Sequence, residues 1–284
     1  MKCEGLFFNY GSKEILNGIG FSVQPGEIIA IVGDNGCGKT TLLKALGQFI
    51  RIKSGMIDYE NEDRDTFDYA GILETPHFWP QLSGRENLQY YLRDKYNDER
   101  AFKLIKRFDM GTAAGMKVKH YSLGMQQKLA VILSIMTDSS ILLYDEPTNS
   151  LDQDSVEVFF ELIKEAAACG RTVIMVTHVL SELEKYCDRI LLFKNQQLVR
   201  LEDELAHENR VLYEISFDSD TDVTEASGLL DEKQIEKVLE HGILIRLDGE
   251  SISDIVRKLC SYNIVGVSQK KKTLKTLYKE EMQR

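Results

Sequence analysis

The hydrophobic pattern of the chain changes near residue 200. Up to that point, short apolar runs ending in Gly, Asp or Thr alternate with longer stretches of helical spacing, the rhythm of an α/β domain. GEIIAIVG (26–33) and SILLYDEP (140–147) are continuous apolar runs followed by polar turn residues, which predicts buried parallel strands. TVIMVTH (172–178) predicts a third strand, preceded by a helix over about 153–169. RILLFKNQQLV (189–199) predicts a hairpin turning near Asn195. Between the first two strands, GRENLQYYLRDKY and DERAFKLIKRF repeat apolar residues at helical spacing. A mostly helical subdomain is therefore expected over about 76–138, inserted into the α/β core.

Beyond about residue 205 the texture differs. No proline follows Pro147, and residues 201–284 carry 18 acidic and 12 basic side chains. VLYEISF (211–217) and ILIRL (243–247) alternate as half-buried strands, while SISDIVRKLC and LKTLYKEEM have helical spacing with IVGV between them. The expected organisation is one α/β domain over 1–204 and a small α+β accessory domain over 205–284.

Composition narrows the function classes. The 284 residues are 43% hydrophobic and carry a formal net charge of −10, which allows a sizeable core and argues against a protein that grips nucleic-acid backbones. Cys3, Cys37, Cys169, Cys187 and Cys260 are scattered and odd in number, so they read as reduced thiols rather than a disulfide framework or zinc site. No run of apolar residues is long enough to span a bilayer, and the N-terminus has no signal-peptide pattern. The expectation is a chain that stays in the cytosol.

GDNGCGKTT (33–41) satisfies G-x-x-x-x-G-K-S/T and sits between the apolar run EIIAIV and a helical segment. In such a loop, Gly33, Asp34, Asn35, Gly36, Cys37, Gly38, Lys39, Thr40 and Thr41 wrap phosphate oxygens with backbone amides. The following helix adds its positive end. Lys39 would reach the β and γ phosphates, and the Thr40 hydroxyl would ligate Mg²⁺. Cys37 has two readings: a small residue tolerated by the loop, or a thiolate activated by the helix N-terminus and Lys39.

Asp145 and Glu146 end the SILLYDEP run, and the carboxyl ends of parallel strands are where such sheets bind ligands. Asp145 is the candidate Mg²⁺ carboxylate and Glu146 the candidate base for an attacking water. His178 ends the next strand and would emerge at the same edge, where an imidazole could contact the γ phosphate.

Taken in order, GDNGCGKTT, YSLGMQQK (121–128), ILLYDEPTNSLD (141–152) and VTH resemble the nucleotide-binding subunit of an ATP-binding cassette (ABC) transporter over about residues 1–200. The resemblance implies a P-loop NTPase of ABC ATPase type, with a mixed sheet core, an antiparallel β subdomain and a helical subdomain. It implies ATP and Mg²⁺ as cofactors, with Lys39, Glu146 and His178 in catalysis. Tyr10 matches the aromatic residue that stacks on adenine, with a core aromatic as the other reading. Ser150, Leu151 and Asp152 match a loop that communicates between subunits, where the family more often has Gly or Ala in place of Ser150. Ser122, Gly124 and Met125 belong to a signature that meets the γ phosphate held by a second subunit. Read from the residues alone, Ser122 is a helix N-cap.

Two departures stand out. Where the family commonly has a glutamine near Mg²⁺, AGILETP offers Glu74, either a further acidic metal neighbour or a surface acid. The signature reads YSLGM instead of the common LSGGQ. The loop TPHFWPQLSGREN carries Phe78 and Trp79, which are either a partner patch or rings packed in the helical subdomain; in the family this region faces the membrane subunit. The resemblance implies a second ATPase subunit, identical or paralogous, a separate integral-membrane permease, no nucleic-acid partner, and an exporter of antibiotic-peptide, drug or lipid-like cargo. The chain would then be cytoplasmic, held at the membrane through the permease. A soluble ABC ATPase acting on ribosomes or DNA is the alternative class; such proteins usually carry tandem cassettes or long coiled-coil insertions, and this sequence has neither.

Overall fold

The computed structural model describes residues 1–59, 69–73, 76–178, 180, 182–200, 212–231, 234–247 and 250–270. They fall into two compact units, Met1–Glu202 and Asp203–Arg284.

The first unit opens with the hairpin β1 (Lys2–Tyr10) and β2 (Lys13–Ser22). Strand β3 (Ile28–Val32) leads through the glycine-rich loop into α1 (Lys39–Leu46), and β4 (Ser54–Asp58) and β5 (Tyr69–Ile72) follow. Helices α2 (Gly84–Leu92), α3 (Asp98–Arg107) and α4 (Leu123–Met136) precede β6 (Ile141–Asp145) and α5 (Gln153–Ala168). The unit continues with β7 (Thr172–Val176), the short α6 (Leu183–Tyr186), β8 (Arg189–Lys194) and β9 (Gln197–Arg200).

These strands make two sheets. The antiparallel one has the order β2-β1-β4; the other has six strands in the order β5-β6-β7-β3-β8-β9, in which only β9 runs antiparallel to its neighbour. All five residues of β3 and of β7 are buried, which is why neither alternates polar and apolar positions. Ile29, Ile31, Leu42, Leu43, Leu143 and Ile174 pack as part of one core that joins the central sheet to α1. Strand β5 supplies the sheet edge with only four residues; a Cβ on Gly71 would lie 1.7 Å from the Leu143 carbonyl oxygen, so the pairing with β6 tolerates no side chain there.

Side-chain caps set where the helices begin. Ser83 caps α2 in a capping box with Glu86, and Asn97, Ser122 and Asp152 cap α3, α4 and α5. Each such cap is worth about 1 kcal/mol. The β8–β9 hairpin turns at Asn195 and Gln196, both at positive φ (49° and 64°), with Lys194 opposite Gln197, as a two-residue primed turn requires.

The second unit runs β10 (Leu212–Phe217), α7 (Asp220–Ser227), β11 (Ile235–Leu239), β12 (Gly242–Arg246), α8 (Ile252–Lys258) and β13 (Ile264–Lys270). Its antiparallel sheet has the order β11-β12-β10-β13, a split β-α-β arrangement in which α7 and α8 share a core with Ile215, Phe217, Ile243 and Ile245. The IVGV stretch lies in β13. The helix expected over LKTLYKEEM and the expected boundary at 204/205 lie outside the described residues.

Candidate functional site

The phosphate loop is shaped by two glycines that no other residue replaces. Gly33 (φ +155°) would place a Cβ 2.5 Å from the Phe193 carbonyl oxygen, and Gly38 (φ +125°) would place one 2.9 Å from Ile15. The loop is thereby pressed onto β8 on one side and β2 on the other, and α1 starts at Lys39. The Lys39 side chain is buried and donates to the carbonyl oxygens of Gly33 and Asp34, each at 2.8 Å. Asp34, Asn35, Gly36 and Thr40 are exposed along the loop, and Thr41 is buried in the helix. Cys37 is half-buried; burial pushes its thiol up, against a smaller pull from Lys39, so the geometry favours the tolerated small residue over an activated thiolate.

Across from this loop the ends of β6 and β7 bring the acids and the histidine together. The Thr40 hydroxyl donates to Asp145 Oδ2 at 2.5 Å, and His178 Nδ1 lies 2.8 Å from Glu146 Oε2. Burial raises the Asp145 carboxyl above its ordinary value and neighbouring Glu146 adds to the rise, while the Thr40 hydrogen bond opposes it. Glu146 adopts a positive φ of 47° and its amide bonds to the Val176 carbonyl, so the backbone turns sharply at the candidate base. Asn35, Gly36, Lys39 and Thr40 share one pocket of 470 Å³ with Asp145 and Glu146, and Leu123, Asn149 and Ser150 line it as well.

The signature stretch is a capped helix start. Ser122 Oγ accepts from the Met125 amide at 3.2 Å, and Leu123 is exposed. A Cβ on Gly124 would lie 2.5 Å from the Ser150 carbonyl oxygen, and Ser150 itself sits at φ +70°. Two further side chains of the same helix, not anticipated from sequence, bind the loop after Glu146. Gln127 donates to the Pro147 carbonyl at 2.8 Å, buried, and Lys128 pairs with Asp152 at 2.8 Å. Opposite charge at 128 and 152 was visible in the sequence, but their separation along the chain hid the contact.

Tyr10 lies elsewhere. It is 53% exposed, packs edge-to-face on Phe8, and lines an adjoining groove of 740 Å³ with Phe49, Tyr69, Phe78 and Tyr91, which shares Ile72, Leu73 and Pro76 with the phosphate-loop pocket. Phe78 is half-buried against Tyr91, whereas Trp79 is exposed and meets only the edge of Tyr90 among described aromatic rings, so this loop presents an aromatic surface patch. Glu74 lies outside the described residues. No helix among the described residues is long and apolar enough to cross a membrane.

Comparison with known proteins bears on this geometry. A family model described as ABC transporter matches residues 16–149. The Bacillus subtilis ABC transporter ATP-binding protein YdbJ is 38% identical over 204 residues, 69% of this chain and just under two thirds (66%) of YdbJ. The lantibiotic transport ATP-binding protein SrtF of Streptococcus pyogenes is 30% identical over 194 residues, covering 67% of this chain and 85% of SrtF. The ribose import ATP-binding protein RbsA of Oceanobacillus iheyensis is 29% identical over 209 residues, 68% of this chain and 42% of RbsA. A solved dimeric structure of a bacterial ABC transporter cassette is similar with a TM-score of 0.61 at 25% identity, over 70% of this chain and 96% of that one.

Proposed function

This chain belongs to the ABC transporter ATP-binding family, and from that premise we propose that it works as the ATP-hydrolysing half of a two-subunit sandwich that drives a separate membrane-spanning exporter. The observation that carries this reading is the single pocket in which the phosphate loop faces Asp145 and Glu146. Lys39 and the loop amides would hold the β and γ phosphates of ATP, with the N-terminus of α1 behind them. Thr40 and Asp145 are hard oxygen donors within hydrogen-bond reach, a donor set that suits Mg²⁺, which keeps water and phosphate among its ligands. When bound, the ion would supply neutralisation of phosphate charge.

Glu146 then accepts the proton of the attacking water, and His178, in contact with it, orients that carboxylate and the γ phosphate. Tyr10 has an exposed ring face to offer adenine, which requires the base to reach from the phosphate pocket to the end of β1. The phosphate loop would surround its own nucleotide, so the Ser122 hydroxyl and the Gly124 amide at the start of α4 are left for the γ phosphate on a partner subunit, with Met125 held beside them by the bond from its amide to Ser122 Oγ. Closure of two such subunits on ATP, and reopening after hydrolysis, would move a permease docked on the aromatic groove beside Phe78 and Trp79. The likeness to SrtF, a lantibiotic transport ATP-binding protein, supports antibiotic-peptide, drug or lipid-like cargo moved by export. The chain would sit at the cytoplasmic face of the membrane through that permease.

Affinity purification of the tagged chain from its native membranes tests the reading. A multi-span membrane protein and Mg²⁺-dependent ATPase activity are expected together; recovery with ribosomes or DNA instead would favour the non-transport class. A Lys39→Ala chain that binds ATP normally would contradict the phosphate cradle.

A further inference from the structure

Tyr144 occupies the β6 position immediately before Asp145 and is fully buried. Its hydroxyl lies 2.8 Å from Ser134 Oγ on α4, and Ser134 Oγ donates in turn to the Val131 carbonyl at 2.8 Å, which makes the phenol the donor. The other positions of β6 before Asp145, Ile141, Leu142 and Leu143, are purely apolar, and phenylalanine would fill the same space. A hydroxyl buried there is costly unless its partner is fixed, so its presence marks a directional link between strand and helix.

The same stretch of α4 is held from β7. Arg171, buried directly before that strand, donates to the carbonyl oxygens of Ser134, Ile135 and Ser139 at 3.1, 3.0 and 2.7 Å. Those to Ser134 and Ile135 satisfy carbonyls that the end of the helix leaves open, and the one to Ser139 holds the turn that follows it. Ser134, with Ala130, Leu133 and Thr137, also lines the 740 Å³ aromatic groove. The helix wall of the groove is therefore tied by one hydrogen bond to the residue next to the candidate metal carboxylate.

We propose that Tyr144 and Ser134 are positioning residues: their hydrogen bond fixes the end of β6 against α4 and so holds Asp145 and Glu146 in place for the chemistry. This rests on the ATPase reading given above. The test uses the full chain with Tyr144→Phe, Ser134→Ala and the double substitution, measuring kcat and KM for MgATP together with the melting temperature. Each single change should lower kcat about three- to tenfold with KM within about twofold, and the double should be no worse than the more severe single. An unchanged kcat in Tyr144→Phe at temperatures well below melting, or losses that multiply in the double, would overturn the proposal, because a merely structural bond lowers the melting temperature alone. Amide exchange separates this from failure of the ATPase reading. In Ser134→Ala the amides of Tyr144 and Asp145 should exchange faster while those of β3 stay protected, whether or not the wild type hydrolyses ATP, and unchanged exchange would count against the link.

Discussion

A Cβ on Gly124 would come within 2.5 Å of the carbonyl oxygen of Ser150 in the same chain. Gly124 is thus constrained from within the subunit, by the loop that follows Glu146. Gly124→Ala should push that loop aside and cost about 1–3 kcal/mol of stability. Hydrolysis should fall at least about tenfold while ATP binding to the monomer persists. Isothermal titration with ATP beside a steady-state ATPase assay checks it, and full activity would mean the loop yields freely.

The contact between Lys128 and Asp152 makes a pH prediction. The ammonium of Lys128 first, and then Ser155, hold the Asp152 carboxyl below the usual carboxylate range. A depressed carboxylate contributes stability that is present above its unfolded pKa of about 4 and is lost as pH falls through the lower folded value. The stability difference between wild type and Lys128→Met should therefore be constant from neutral pH down to about pH 4 and shrink only below it. Because Asp152 is largely exposed, the difference should be small and should weaken in high salt. Thermal melts across pH, with carboxyl NMR of Asp152, provide the measurement.

The fold was legible in sequence wherever periodicity and length agreed, and less so where a neighbour decided. β3, β6 and β7 appear as uninterrupted apolar runs because both faces of each are covered. β4 and β5 do not: β5 is four residues long, contains Gly71, and owes its place to the close approach of Leu143. The phosphate loop was readable because its function needs glycines at fixed spacing, and Asp145, Glu146 and His178 because strand ends place them at one edge. The placement of Tyr10 beside Phe49 and Tyr69 was not, since it depends on how the β1–β2 hairpin meets α1. Gln127, Lys128 and Tyr144 were also hidden, because each acts through a partner distant in sequence.

The docking role proposed for the aromatic patch can be tested apart from the chemistry. Trp79 is exposed and absent from the pocket that holds the phosphate loop, so Trp79→Ala should change ATP hydrolysis by the isolated chain by less than about twofold. Loss of an exposed aromatic anchor should weaken co-purification of the proposed permease at least about tenfold. Pull-down from membranes, scored against ATPase rate, distinguishes a docking role from a general defect.

The proposed sandwich has two subunits sharing two ATP molecules, with the Glu146 of each acting beside the Ser122 of the other. Sedimentation velocity of Glu146→Gln in saturating MgATP tests this most directly. A stable dimer with steady-state hydrolysis reduced by at least about a hundredfold is the expected result. A monomer that turns over ATP at the wild-type rate would contradict both the base and the sandwich.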